Sequence, residues 1–176
     1  MFPRRHAAVE LKDTHVGLGV FTRQAFRRQQ IIGDICGHIM ASATYDSPFC
    51  MEFGPDCALE PIGAFRFLNH SCDPNCEIFY YEAARGDDRE LPDRLWLGSL
   101  RSIAIGEELT IDYAWPAQRA IPCLCGAANC RGWIVASEEL TLISSAPKAP
   151  SGLADPLQTA KCKMTIWADL RLQFAV

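Results

Sequence analysis

At 176 residues, 49% hydrophobic and 22% charged, the chain suits one globular domain burying roughly 70% of its unfolded surface, which excludes disorder throughout. Its formal net charge of -4 opposes the basic surface that phosphate neutralisation requires, so no direct nucleic-acid contact is expected. No apolar run approaches the roughly 20 residues of a membrane span and no apolar stretch follows the charged start from Met1 to His6, so the reading is a soluble intracellular protein with no membrane partner.

Apolar and β-branched runs are short and punctuated by Gly, Pro, Asp and Asn, which predicts strands over residues 16–22, 31–39 and 49–53. A brief helical segment is expected near 64–68. From Cys76 to Tyr81 alternate residues sort into Cys76, Ile78 and Tyr80 against Glu77, Phe79 and Tyr81, and either face is apolar enough to pack. The charged stretch 82–94, with Gly86 and Pro92, reads as a solvated hairpin loop. Strands follow over 95–100 and, after a turn at Gly106, up to Ile111, with a second short helical segment near 137–142. The fold class is therefore mostly β. Residues 144–152 have linker composition, and the apolar stretch 164–176 can dock but suggests no role.

Nine cysteines need an explanation in an intracellular chain. Their odd number argues against a disulfide framework, and the cluster near one end points to a metal. Cys36, Cys50 and Cys57 read as buried free thiols.

Four local patterns carry chemistry. Gly17-Leu18-Gly19-Val20 opens a predicted strand, where two glycines let the backbone approach a ligand, although a plain β-turn would look the same. Arg66-Phe67-Leu68-Asn69-His70-Ser71-Cys72-Asp73-Pro74-Asn75-Cys76 sets polar groups directly after an apolar run, at the edge of a core. Taken singly, Asn69 reads first as a turn residue and His70 as a satisfied core histidine. Gly106-Glu107-Glu108-Leu109-Thr110-Ile111-Asp112-Tyr113 is a turn feeding a short strand that ends on a phenol. Cys123-Leu124-Cys125-Gly126-Ala127-Ala128-Asn129-Cys130 gathers three thiols within eight residues, one short of a closed tetrahedral Zn²⁺ site.

In this order and spacing, with Arg131-Gly132-Trp133 after the last cysteine, the four patterns resemble the SET-domain lysine methyltransferases with their post-SET zinc cap, over roughly residues 10 to 135. The resemblance implies a SET-type fold of small β-sheets with a C-terminal pseudoknot that brings the second and third patterns together. It divides the chain into a SET domain (1–115), a post-SET zinc cap (116–140) and a linker-like tail (141–176). It makes Cys72 the fourth ligand of one structural Zn²⁺ with Cys123, Cys125 and Cys130, with Cys76, Cys36 and Cys162 as substitutes. No second cysteine cluster precedes Gly17, so no pre-SET module is expected.

The resemblance also implies S-adenosylmethionine as cofactor and a protein lysine, in a histone or other basic tail, as methyl acceptor. Tyr113 is then the catalytic residue. Gly17, Leu18 and Gly19 would meet the methionine end of the cofactor, Asn69 and His70 its polar parts, and Leu124 and Trp133 its adenine, although Trp133 also reads as a core residue. Arg66 would either reach the carboxylate or brace its own turn. Ile111, in the substrate channel with Tyr113, falls where relatives carry an aromatic that limits the number of methyl groups, so capacity beyond monomethylation is expected.

The chain departs from that pattern at Leu59-Glu60-Pro61-Ile62-Gly63-Ala64-Phe65, where the family usually has an Asp-Ala pair and then Gly-Asn. A second channel tyrosine is also hard to place, with Ile35, Phe49 and Tyr45 as stand-ins. These departures motivate an alternative, a catalytically silent SET-like peptide-binding module stabilised by zinc. A zinc hydrolase fits poorly, because four thiolates leave no position for water.

Overall fold

The computed structural model describes residues 8–41, 47–81 and 94–144. The expected loop after Tyr81, the linker from 145 onward, the apolar tail, Tyr45 and Cys162 lie outside the described residues.

Short strands dominate, as the punctuated apolar runs predict. β1 (Val9–Thr14) and β2 (Gly17–Thr22) form an antiparallel hairpin, and β2 pairs in turn with β10 (Glu108–Ile111). β10 then pairs in parallel with β7 (Asn69–His70), giving the order β1-β2-β10-β7. This one sheet sets the first three sequence patterns side by side. A second sheet, β3-β9-β8, joins β3 (Ile31–Ile35), β9 (Arg94–Ser99) and β8 (Cys76–Tyr81). A third, β4-β6-β5, joins β4 (Gly37–Ala41), β6 (Cys57–Pro61) and β5 (Met51–Glu52). The cap contributes the small ribbon of β11 (Ile121–Pro122) and β12 (Trp133–Ile134).

Three expectations change in detail. The run expected over 31–39 is two strands in different sheets, parted at Cys36, and that thiol is exposed rather than buried, with its Sγ 3.3 Å from Asp34 Oδ2. Cys50 is buried and Cys57 half-buried. β1 and β6 were not anticipated: β1 carries only Val9 as a buried apolar residue, so its place is set by pairing with β2 rather than by its own pattern. The segments read as helical become a 3-10 turn at Ala64–Phe67 and a 3-10 turn at Ser137–Glu139 running into α1 (Leu140–Ser144).

One core joins all three sheets: Val20 and Leu109 of the first and Ile32, Leu95 and Leu97 of the second are wholly buried, and Met51 and Leu59 of the third pack into the same cluster. On β8 the face of Cys76, Ile78 and Tyr80 packs inward, while Tyr81 is exposed. Burial pushes the Cys76 thiol up to about 12, as suits an inert packing residue.

Asn75 replaces strand pairing where β10 passes the second pattern. It is 2% exposed; its amide donates to Glu108 O at 2.7 Å and to Glu107 Oε1 at 3.1 Å, and its Oδ1 accepts from Thr110 N at 2.8 Å. Asn75→Ala removes the partners of Glu108 O and Thr110 N, both part-buried on β10, so it should cost about 2 kcal/mol in urea unfolding. A loss under about 1 kcal/mol would show that water replaces the side chain there.

Candidate functional site

Asn69 sits where β2, β7 and β10 meet. Its Nδ2 donates to Leu18 O at 3.1 Å and to Glu108 Oε1 at 2.8 Å, tying the first pattern to the second and third. The approach depends on Gly19, because a Cβ there would lie 2.4 Å from Glu108 Oε1, 2.7 Å from Thr14 Cγ2 and 3.1 Å from Asn69 Nδ2. Gly17 faces open space with φ +115°, and Leu18 beside it is exposed. The hairpin edge therefore presents bare backbone and an apolar side chain next to a polar amide.

Tyr113 follows the end of β10. Its hydroxyl donates to Leu68 O at 2.7 Å, and its ring packs against His70 and Trp115, each at 5.4 Å between centroids. Burial pushes the phenol up to about 12, and the Glu108 carboxylate adds to the effect. With its proton committed to Leu68, the oxygen turns its lone pairs to any other ligand and acts as an acceptor. Ile111, 2% exposed, is sealed in the core opposite His70.

His70 links the phenol to the sulfur cluster. The Tyr113 N–H donates to Nδ1 at 3.2 Å, which leaves the proton on Nε2, 3.4 Å from Cys72 Sγ. Burial holds this imidazole down at about 4; Asp112 opposes the shift and Arg131 assists it, so the ring is neutral at pH 7.

The ligand atoms of Cys72, Cys123, Cys125 and Cys130 all lie within 4.8 Å of one another. Cys72 Sγ is 3.8 Å from Cys123 Sγ and 4.0 Å from Cys130 Sγ, far too long for a disulfide. Those spacings match the roughly 3.8 Å edge of a tetrahedron whose centre is about 2.3 Å from each sulfur, as in a zinc–thiolate site. Backbone N–H groups already point at the sulfurs: Arg131 N at Cys72, Cys72 N at Cys125, Cys125 N at Cys123 and Gly132 N at Cys130, at 3.4 to 3.5 Å. Such donors favour thiolates. Burial pushes the Cys72 and Cys123 thiols up, whereas at Cys125 the donors outweigh burial and bring the thiol to about 6. The donor set thus fits a Zn²⁺ ion, whose charge would deprotonate all four.

Of the remaining sequence candidates, Arg66 is engaged within its own turn. Its Nη1 donates to Glu60 and to Pro61 O at 3.2 Å, and its guanidinium lies 3.9 Å from the centroid of the Phe49 ring. Glu60, one of the departures from the family pattern, is thereby the partner that braces Arg66. Leu124 is exposed on the cap, and its carbonyl lies 2.6 Å from His15 Nε2, which holds the cap to the β1–β2 turn beside Leu18. Trp133 is 36% exposed on β12 and so is not a core residue. The cap's far end is anchored, with Val135 and Ala136 buried and Ala136 N donating to Trp115 O at 2.7 Å.

Sequence reasoning missed His15, Asn75, Glu108, Asp112 and Arg131 as individuals, although all but His15 stand inside or directly after the quoted patterns. The signal available was their position; their partners are 19 to 109 residues away in sequence.

The SET domain family matches residues 17–114, more than half of the chain. A histone-lysine N-methyltransferase of Saccharomyces cerevisiae, described as H3 lysine-4 specific, is 42% identical over 76 residues, covering 41% of this chain and 6% of that protein. Histone-lysine N-methyltransferase SUV39H2 of Xenopus tropicalis is 32% identical over 154 residues, covering 69% of this chain and 37% of that protein. The chain thus spans a minor part of the relatives it matches. Among solved structures, KRYPTONITE in complex with mCHH DNA, H3(1-15) peptide and SAH superposes with a TM-score of 0.61 at 23% identity, over 72% of this chain and 29% of that one. The matched residues span the β2-β10-β7 meeting point and Tyr113. The chain belongs to the SET domain family.

Proposed function

We propose that this protein transfers methyl groups from S-adenosylmethionine to lysine side chains of a histone or another basic protein. The observation that carries the reading is the convergence of bare hairpin backbone, the Asn69 amide and a half-buried, protonated Tyr113 around one sheet. The relatives are named for histone lysines, and a solved neighbour holds SAH with an H3 peptide. The net charge of -4 favours a basic acceptor and no direct nucleic-acid contact. Among the described residues no helix is long and apolar enough to cross a membrane.

S-adenosylmethionine supplies an electrophilic methyl on a sulfonium. The backbone of Gly17, Leu18 and Gly19 would take its methionine end, Asn69 and His70 its polar groups, and exposed Leu124 and Trp133 its adenine. Arg66, already paired with Glu60, serves as a brace. A lysine amine must shed a proton first, at a cost of about 4 to 5 kcal/mol at pH 7. Exclusion of water around the acceptor, together with the positive charge that the cofactor would supply, would reduce that cost by disfavouring the ammonium. Tyr113, its proton held by Leu68 O, would orient the neutral amine through its free lone pairs, and its oxygen would be available to accept weak CH···O contacts. Cys72, Cys123, Cys125 and Cys130 would hold one structural zinc, fixing residues 116–140 as a cap on the SET domain of residues 1–115; residues 141–176 would form a tail.

Calorimetric binding of S-adenosylmethionine to zinc-loaded protein, followed by tritiated methyl transfer to histones and lysate proteins, tests the reading. Absence of cofactor binding would leave the zinc-stabilised peptide-binding module instead. Ile111, packed in the core next to His70, offers no hydrogen bond that would retain a water beside the acceptor amine, so the exhaustive product should include dimethyl- or trimethyl-lysine by mass spectrometry. A strictly monomethylated product would refute that extension alone.

A further inference from the structure

One ion pair joins the thiol cluster to Tyr113 without involving any sulfur as partner. Asp112 immediately precedes Tyr113, and Arg131 immediately follows Cys130. Their side chains meet as a fork: Arg131 Nη1 donates to Asp112 Oδ2 at 2.7 Å and Nη2 to Oδ1 at 2.8 Å, with the Arg131 side chain 13% exposed. A planar fork of this kind fixes direction as well as distance, which a lysine point charge does not.

Each end of the fork is itself anchored. The Arg131 N–H donates to Cys72 Sγ at 3.4 Å, and Nη1 also reaches Ser137 Oγ at 2.9 Å. At the other end Asp112 Oδ1 accepts from Ala114 N at 3.0 Å, closing a turn around Tyr113. Within that turn Ala114 has φ 46°, a left-handed conformation that a residue with a Cβ adopts only when its surroundings impose it. The carboxylate therefore determines the backbone on both sides of Tyr113. His70 forms a second limb between the same termini, from the Tyr113 N–H to Cys72 Sγ.

We propose that Asp112 and Arg131 are positioning residues, transmitting the rigidity of the thiol cluster to Tyr113 and so setting where its hydroxyl stands for methyl transfer. This rests on the methyltransferase reading, and neither residue need touch the cofactor. A group misplaced by about 1 Å loses on the order of 100-fold in rate, so a partial loosening of the fork is expected to be visible.

Asp112→Asn keeps an oxygen for the Ala114 N–H and removes the charge that Arg131 grips. It should lower kcat about 10-fold, leave S-adenosylhomocysteine affinity within about threefold, and retain one zinc per chain. Arg131→Lys, with charge but no fork, should fall between it and the parent. In a Tyr113→Phe background, where there is no hydroxyl to place, Asp112→Asn should cost less than about twofold more; a full additive loss would overturn the proposal. Amide hydrogen exchange over 112–115 provides a readout independent of turnover. It should accelerate about 10-fold in Asp112→Asn, and in the parent after zinc removal, and unchanged exchange in both would also overturn the proposal. Failure of the parent to transfer methyl groups, with exchange coupled as expected, would instead reject the functional reading and leave the mechanical link standing.

Discussion

Tyr113→Phe should lower methyl transfer about 100-fold while leaving affinity for S-adenosylhomocysteine within about threefold of the parent, the pattern of an interaction made chiefly in the transition state. The ring, wedged between His70 and Trp115, is kept by the substitution, so packing is preserved. What is lost is one oxygen whose proton is committed to Leu68 O at 2.7 Å and whose lone pairs remain available. Burial, reinforced by Glu108, pushes this phenol up to about 12, so its ionisation adds no inflection to a rate profile measured up to about pH 10. Any rise in kcat/KM with pH should then survive in the variant, since it reports the substrate amine. A variant retaining more than about a third of parental kcat would remove Tyr113 from the catalytic role.

Cys72→Ser should abolish stoichiometric zinc and weaken S-adenosylmethionine binding by at least about 10-fold. Three thiols remain in the cap, but none of them belongs to the loop carrying Asn69 and His70. Cys72 is the member that joins the two, meeting Cys123, Cys130, the Arg131 N–H and the His70 ring. The main core contains none of the four clustered thiols, so circular dichroism should still show folded sheets while the cap becomes protease-sensitive. Normal cofactor affinity in a zinc-free variant would break the link between metal and cofactor site. Retention of one zinc per chain would move the fourth ligand elsewhere.

The two strands of the β8–β9 hairpin were legible because their apolar residues announce themselves within the strand: β8 runs from Cys76 to Tyr81 as expected, and β9 begins one residue early. β1 was not, because Leu11, Lys12 and Asp13 are exposed and only the ladder to β2 makes the segment a strand. The expected strand over 31–39 failed at Cys36 for a related reason. An apolar run punctuated by Gly33, Asp34, Gly37 and His38 does not by itself reveal where the chain leaves one sheet for another, and residues 37–41, largely exposed, are held by register with β6.

What the sequence determined by itself was local chemistry: glycines opening a strand, a phenol closing one, three thiols within eight residues, and an order of patterns that resembles one family. Tertiary structure alone decided the pairings. It placed Asn69 between Leu18 and Glu108, gave Arg66 to Glu60, set the proton of His70 on Nε2, and joined Asp112 to Arg131. The physical reason is that composition and periodicity report which face of an element is apolar. A hydrogen bond between side chains far apart in sequence instead depends on where the parallel β7–β10 pairing and the cap bring their backbones, and no local window contains that information.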